Sequence, residues 1–89
     1  MRVELFGIPR LAAGVREVAI PWSPGLTLAG VPEQLAICCP ALRGSVITPG
    51  GALAPGFVFN RNGRDFLRDP ATPIAAGDSL LLLSADAGG

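Results

Sequence analysis

Histidine and lysine are both absent from this chain. Without histidine it lacks the commonest general base and metal ligand at neutral pH. Without lysine its own surface offers no ε-amino group for isopeptide attachment. All seven basic residues are arginines, matched by seven acidic residues for a formal net charge of +0. No basic block appears, which argues against nucleic-acid binding through phosphates. Long apolar stretches are missing as well. The longest run, Leu80-Leu81-Leu82-Leu83, is far too short to span a bilayer. The first residues, Met1-Arg2-Val3-Glu4, enter an alternating pattern with no apolar h-region, so no signal peptide, no membrane association and a cytoplasmic home are expected. Neither a GxGxxG nor a GxxxxGKS/T pattern occurs. With no convincing nucleophile–base pair either, the expectation is a chain that is no enzyme by itself and holds no metal or bound cofactor.

What is present suits one small domain: 89 residues, 49% hydrophobic and 16% charged. Its two cysteines, Cys38 and Cys39, are adjacent. Neighbouring thiols are poorly placed for an ordinary disulfide, and two do not make a tetrahedral zinc site, so buried apolar use is expected.

Residues 2–8 alternate as a strand, with Val3 and Leu5 on one face and Arg2, Glu4 and Phe6 on the other. Pro9 to Gly14 reads as a connection, and Val15 to Ile20 as a second strand in an antiparallel hairpin. Thr27 is a candidate helix N-cap. Leu28, Val31, Leu35, Cys38 and Leu42 then fall on one helical stripe, which places Cys38 in the core. Pro32 either kinks this helix or begins it, and Pro40 ends it. The Gly- and Pro-rich residues 43–56 read as a short strand at Ser45–Thr48 followed by a loop. Phe57 to Asn60 and Arg64 to Arg68 form a hairpin about Asn62-Gly63, a pair suited to a type I′ turn. A turn at Ile74-Ala75-Ala76-Gly77-Asp78 leads to the last strand, Ser79 to Ser84, whose continuous leucines predict a central position. One helix packed on a mixed sheet of four to five strands is an α+β layer fold, with the first strand beside the last.

This order, with Gly77-Asp78 before a leucine strand and Gly88-Gly89 at the end, resembles the β-grasp (ubiquitin-like) fold. More narrowly it resembles the sulfur carriers of the MoaD/ThiS type, above all the small subunit of molybdopterin synthase. The resemblance covers nearly the whole chain. It is strongest at Val3-Glu4-Leu5-Phe6-Gly7 with Arg10 and Gly14, and over residues 57–89.

The resemblance implies a β-grasp domain over residues 1–84 and a flexible tail over 85–89. A ubiquitin-activating-type adenylyltransferase would use ATP to adenylate the carboxylate of Gly89. Sulfur would then displace AMP and leave a thiocarboxylate, which donates sulfur in the active site of the large molybdopterin synthase subunit or of another sulfur-accepting enzyme. Gly88 would let the tail, with Ala87 and Asp86, pass through a channel. Residues 85–89, if extended, would reach about 17 Å. An apolar patch of Phe6, Leu81 and Leu83, on the face away from the helix, would dock partners, with Arg10 near the interface. Where many members of the family carry prolines, Ser84-Ala85-Asp86-Ala87 stands here. Asp86 therefore calls for a basic group on the activating partner. Alternatives within the same chemistry are a carrier for thiamine, cysteine, tRNA thiolation or a secondary metabolite. A different class is a ubiquitin-like modifier attached through Gly89 to lysines of other proteins, and a fourth reading is an interaction module with an idle tail.

Overall fold

Alternation in Arg2–Leu5 buries Val3 and Leu5 and leaves Arg2 and Glu4 exposed, which makes this first strand, β1, one-sided. It pairs antiparallel with β2 (Glu17–Ala19), with Val3 opposite Val18. On its other side it runs parallel to β5 (Leu80–Ser84), with Val3 opposite Leu80 and Leu5 opposite Leu82. The structure, a computed structural model, describes residues 1–88, and side chains through Asp86. Beyond β5 lie β3 (Phe57–Arg61) and β4 (Asp65–Leu67), both antiparallel to their neighbours. The sheet order is β2-β1-β5-β3-β4, so the last strand is central and lies beside the first. Helix α2 (Val31–Cys38) covers one face and buries Val31, Leu35 and Ala36 in the same core as Val3, Phe59, Leu80 and Leu82. This is an α+β, ubiquitin-like β-grasp fold.

The β3–β4 turn forms as its sequence predicts. Asn62 (φ 56°) and Gly63 (φ 71°) both take positive φ, and the Arg64 amide donates to the Arg61 carbonyl at 2.9 Å.

Several expectations need correction. The first strand ends at Leu5, short of the expected residue 8, and the connection after it is a short helix, α1 (Ile8–Ala13). Pro9 sits in its first turn, where a missing N–H does no harm, and Gly14 closes it in the left-handed conformation at φ 75°. The main helix is shorter than the stripe implies. A 3₁₀ turn (Leu28–Gly30) comes first, and Thr27 precedes it without a side-chain capping bond. Pro32 lies in the first turn of α2 without kinking it, and the helix is over before Pro40, which opens a second 3₁₀ turn (Pro40–Leu42).

Val31 and Leu35 set a stripe that continues to Cys38, but Pro32 and Ala36 are buried as well and move the centre of the core face away from it. At about 100° per residue the true core line of α2 runs between Pro32 and Leu35. Cys38 lies about a quarter turn off that line and is exposed. Cys39 lies on it and is the thiol that packs partly against the core.

Ser45–Thr48 is not a strand. Ile47 makes only isolated bridges to Arg43 and Leu53, yet Val46 and Ile47 are fully buried. Residues 85–88 are not extended. They form one helical turn, α3 (Ala85–Gly88), whose first amide donates to the Gly56 carbonyl at 2.8 Å. Alanine favours a helix, and Asp86 in the first turn suits the positive end of the helix dipole.

The loop 43–54 is strapped to α2 by one ion pair. Arg43 Nη2 donates to Glu33 Oε1 at 2.9 Å, and Arg43 Nη1 donates to the Pro49 carbonyl at 3.2 Å. The hydrogen bond to Glu33 raises the Arg43 pKa above its ordinary value, while burial opposes the rise. A raised pKa on a cation contributes stability fully below the unfolded value and loses it only as pH climbs through the folded one. For a guanidinium that window lies far into alkali.

Gly51 closes the strap at φ 91°, and a Cβ there would collide with the Glu33 carboxylate. Gly51→Ala should therefore lower the unfolding free energy in urea by about 1–2 kcal/mol. Gly50→Ala, where the nearest side-chain atom is Thr48 Oγ1 at 3.9 Å and φ is not positive, should stay within about 0.5 kcal/mol.

Candidate functional site

The face of the sheet away from α2 is built by the residues that the core alternation rejects. On β1 these are Arg2 and Glu4, with Phe6 just beyond the strand on the same side. The Phe6 amide donates to the Leu82 carbonyl at 3.0 Å, which carries the parallel ladder one step past β1. On β5 they are Leu81, directly opposite Glu4, and Leu83. The structure thus places Phe6, Leu81 and Leu83 on one face. Their exposure differs: Phe6 is 55% exposed, Leu81 half-buried and Leu83 only 7% exposed.

β3 and β4 extend this face with residues that the sequence reading did not assign to it. Val58 lies opposite Leu83, Asn60 opposite Leu81, and Phe66 opposite Asn60 on the edge strand. Their signal was available: strict alternation through Phe57–Arg61, with Phe57 and Phe59 turned to the core, puts Val58 and Asn60 on the far side. Asn60 is the sole polar side chain among the buried residues described, and its Oδ1 accepts no hydrogen bond from them. Leaving a buried acceptor unpaired costs about 1–3 kcal/mol. By contrast Asn62, two residues on, is fully engaged, with Oδ1 accepting from the Ser79 amide at 2.8 Å and Nδ2 donating to Asp78 at 3.2 Å.

Arg10 lies on α1, exposed, at the edge of this face. With Phe6, Glu4, Leu5, Arg16 and Glu17 it lines a hollow of about 510 Å³. Apolar side chains continue around that edge: Ile8 and Leu11 of α1 and Val15 are exposed, Leu11 by 82%. The one ion pair here, Arg2 to Glu17 at 3.5 Å, joins two exposed side chains and adds little stability.

α3 carries Asp86, exposed, at the end of β5. Ala87 and Gly88 belong to the same turn, and the side chain of Ala87 is outside the description. Gly89, the expected reacting residue, lies outside the described residues. Among the described residues no group of three or more histidine, cysteine, aspartate or glutamate side chains could hold a metal ion, and no helix is long and apolar enough to cross a membrane.

Solved structures share this fold. The crystal structure of SAMP1 from Haloferax volcanii is 29% identical, with a TM-score of 0.81 over 100% of this chain and 98% of that one. A crystal structure of H. volcanii small archaeal modifier protein 1 is also 29% identical, with a TM-score of 0.76 over 92% of each chain. No family model matches the chain, and no curated protein does. These likenesses support a MoaD/ThiS-like ubiquitin-like family without singling out molybdopterin synthase.

The unequal burial on this face has a direct consequence. Leu83→Ala should cost about 2–4 kcal/mol of unfolding free energy in urea, as buried leucines do. Phe6→Ser should change it by less than about 1 kcal/mol, because little area is removed from water there.

Proposed function

We propose that this protein is a ubiquitin-like carrier that works through the carboxylate of Gly89, serving as a modifier of other proteins. The observation that carries this reading is the likeness to SAMP1 over 100% of this chain and 98% of that one, in a chain whose sequence ends in Gly88-Gly89. The chain acts as a substrate and not as a catalyst. An ATP-dependent adenylyltransferase docks on the sheet face that holds Phe6, Leu81 and Leu83, with Arg10 at its border. A carboxylate oxygen of Gly89 attacks the α-phosphorus of ATP, pyrophosphate leaves, and an acyl-adenylate forms. This step is needed because a carboxylate is a poor electrophile, and AMP makes one of its oxygens a leaving group. An amine of a target lysine then attacks the carbonyl. AMP departs, a proton is lost and an amide forms. Since this chain has no lysine, it cannot extend lysine-linked polymers on itself, so single attachments result.

A second reading uses the same intermediate. If a sulfur nucleophile displaces AMP, Gly89 becomes a thiocarboxylate and the protein donates sulfur, with molybdopterin synthesis as the leading pathway. The motifs that favour it are Val3-Glu4-Leu5-Phe6-Gly7, the Gly77-Asp78 turn and the terminal glycines. In both readings Gly88 lets the tail enter a narrow channel, since a residue without Cβ is the thinnest available. ATP belongs to the activating enzyme, and this chain needs no cofactor of its own.

Two measurements separate the readings. Incubation with ATP, the activating enzyme and a sulfide source should raise the intact mass by the difference between sulfur and oxygen if the protein is a sulfur carrier. Conjugates of higher mass, trapped from cells and lost when Gly88 and Gly89 are deleted, should appear if it is a modifier. That deletion should leave the urea unfolding curve unchanged. A folded chain that shows no mass shift and forms no conjugates would remove the proposal.

A further inference from the structure

The outer sheet face holds one group that packing does not explain. Asn60 sits at its centre, on β3, between Leu81 on one neighbouring strand and Phe66 on the other. Val58 and Leu83 fill the next pair along. Every one of these neighbours is apolar. Asn60 is 7% exposed, and its Oδ1 has neither solvent contact nor a donor among the described residues. Native folds pair nearly all such groups, and an orphan is a feature that asks for a reason. A valine or leucine would satisfy the strand and the neighbours better.

We infer that Asn60 determines specificity on this face: the protein that docks here seats an apolar side chain among Phe6, Phe66 and Leu81, and beside it presents an N–H donor to Asn60 Oδ1. The inference rests on the proposed function, which makes the occupant the adenylyltransferase that activates Gly89. A purely apolar patch accepts any apolar partner of the right shape. An acceptor set into it changes that, because a partner without a donor leaves the carbonyl unpaired in a dry interface while the right partner repairs it. Discrimination then comes from rejecting wrong partners as much as from attracting the right one.

The geometry allows access. Phe66 stands on the short edge strand and is 44% exposed. It stands directly opposite Asn60, and rotamer changes of exposed side chains take picoseconds to nanoseconds, so its ring can turn as a partner docks. The acceptor is neutral, which suits a backbone amide or a side-chain N–H and does not demand a full charge at the centre of the interface.

The test compares Asn60→Leu with the wild-type chain in two measurements. The first is urea unfolding. The variant should be at least as stable as wild type, because an unpaired acceptor has been removed; a clear loss of stability would mean that Asn60 holds the fold and would overturn the inference. The second is ATP–pyrophosphate exchange by the adenylyltransferase, with this chain as the varied substrate. KM should rise about tenfold or more, since the enzyme's donor is now buried unpaired. The kcat should be unchanged, because Asn60 is far in sequence and role from the reacting carboxylate. An unchanged KM, with wild type turning over normally, removes the Asn60 contact and leaves the proposed function standing. No exchange with wild type removes the proposed function and this contact with it. Self-association of the wild type that Asn60→Leu abolishes would assign the donor to a second copy of this chain and overturn the assignment to an enzyme.

Discussion

The register of β5 depends on a clasp between two short polar side chains. Asp78 Oδ2 accepts from the Ala75 amide at 2.8 Å, which closes the turn before the strand. Its Oδ1 accepts from Asn62 Nδ2, and Asn62 Oδ1 accepts from the Ser79 amide. The Asn62 amide also donates to the Ser79 carbonyl at 2.8 Å. The β3–β4 turn is thereby locked to the entry of β5. That lock matters because β5 is four leucines in a row, and hydrophobicity alone cannot tell which pair belongs inside. A slip by one residue would exchange Leu80 and Leu82 for Leu81 and Leu83 on every contact. β5 is also the strand that joins the two hairpins, so the error would pass to β1 and β3 together.

The same strand serves two surfaces. Leu80 and Leu82 are buried with Leu35 and Phe59, while Leu81 and Leu83 line the far face with Val58 and Asn60. The core and the proposed docking face thus share a backbone, so the strand ladder that orders one also fixes the other. A backbone fixed in this way limits the ordering cost of docking. The apolar edge that continues over α1, through Ile8 and Leu11, is carried by a short capped helix and not by a free loop. Arg10 rides on that helix, so its guanidinium has a defined base.

Where periodicity is strict, the sequence was legible. The Asn62-Gly63 turn, the two faces of the first strand through Phe6 and the leucine strand read correctly, because each depends on local sterics or on a period of two. Where the pattern is looser, it was not. The stripe Val31, Leu35, Cys38 is one edge of the buried face of α2 and not its centre, because Pro32 and Ala36 are buried too, so Cys39 and not Cys38 reaches the core. α1 has six residues, too few for periodicity to show, although Pro9 followed by Gly14 was a usable boundary signal. Val46 and Ile47 are buried by a loop stitched to itself and to α2 through Arg43 and Glu33, a contact ten residues apart that no window reveals. Of the outer face, Phe6 and Leu81 were readable from alternation. Leu83 was too, but its burial depends on a cross-strand neighbour, Val58, whose register only the folded sheet defines.

The tail brings these points together. Read as extended, residues 85–88 would span about 14 Å, but as a helical turn they cover about 6 Å. The proposed function through Gly89 would need the longer form, because a channel narrow enough to select glycine cannot admit a helix. The turn poses little obstacle. Four residues are well below the length at which a helix holds by itself, since the first turn fixes several dihedrals for very few hydrogen bonds. The Ala85 amide bonded to Gly56 anchors the base of the tail to the start of β3 and leaves the residues after it to be drawn out. A docked partner that grips the outer face would therefore hold the scaffold at β5 while its channel unwinds only what lies beyond Ala85. On that account the clasp at Asp78, which sets where β5 begins, also sets where the tail leaves the sheet and how far it can reach.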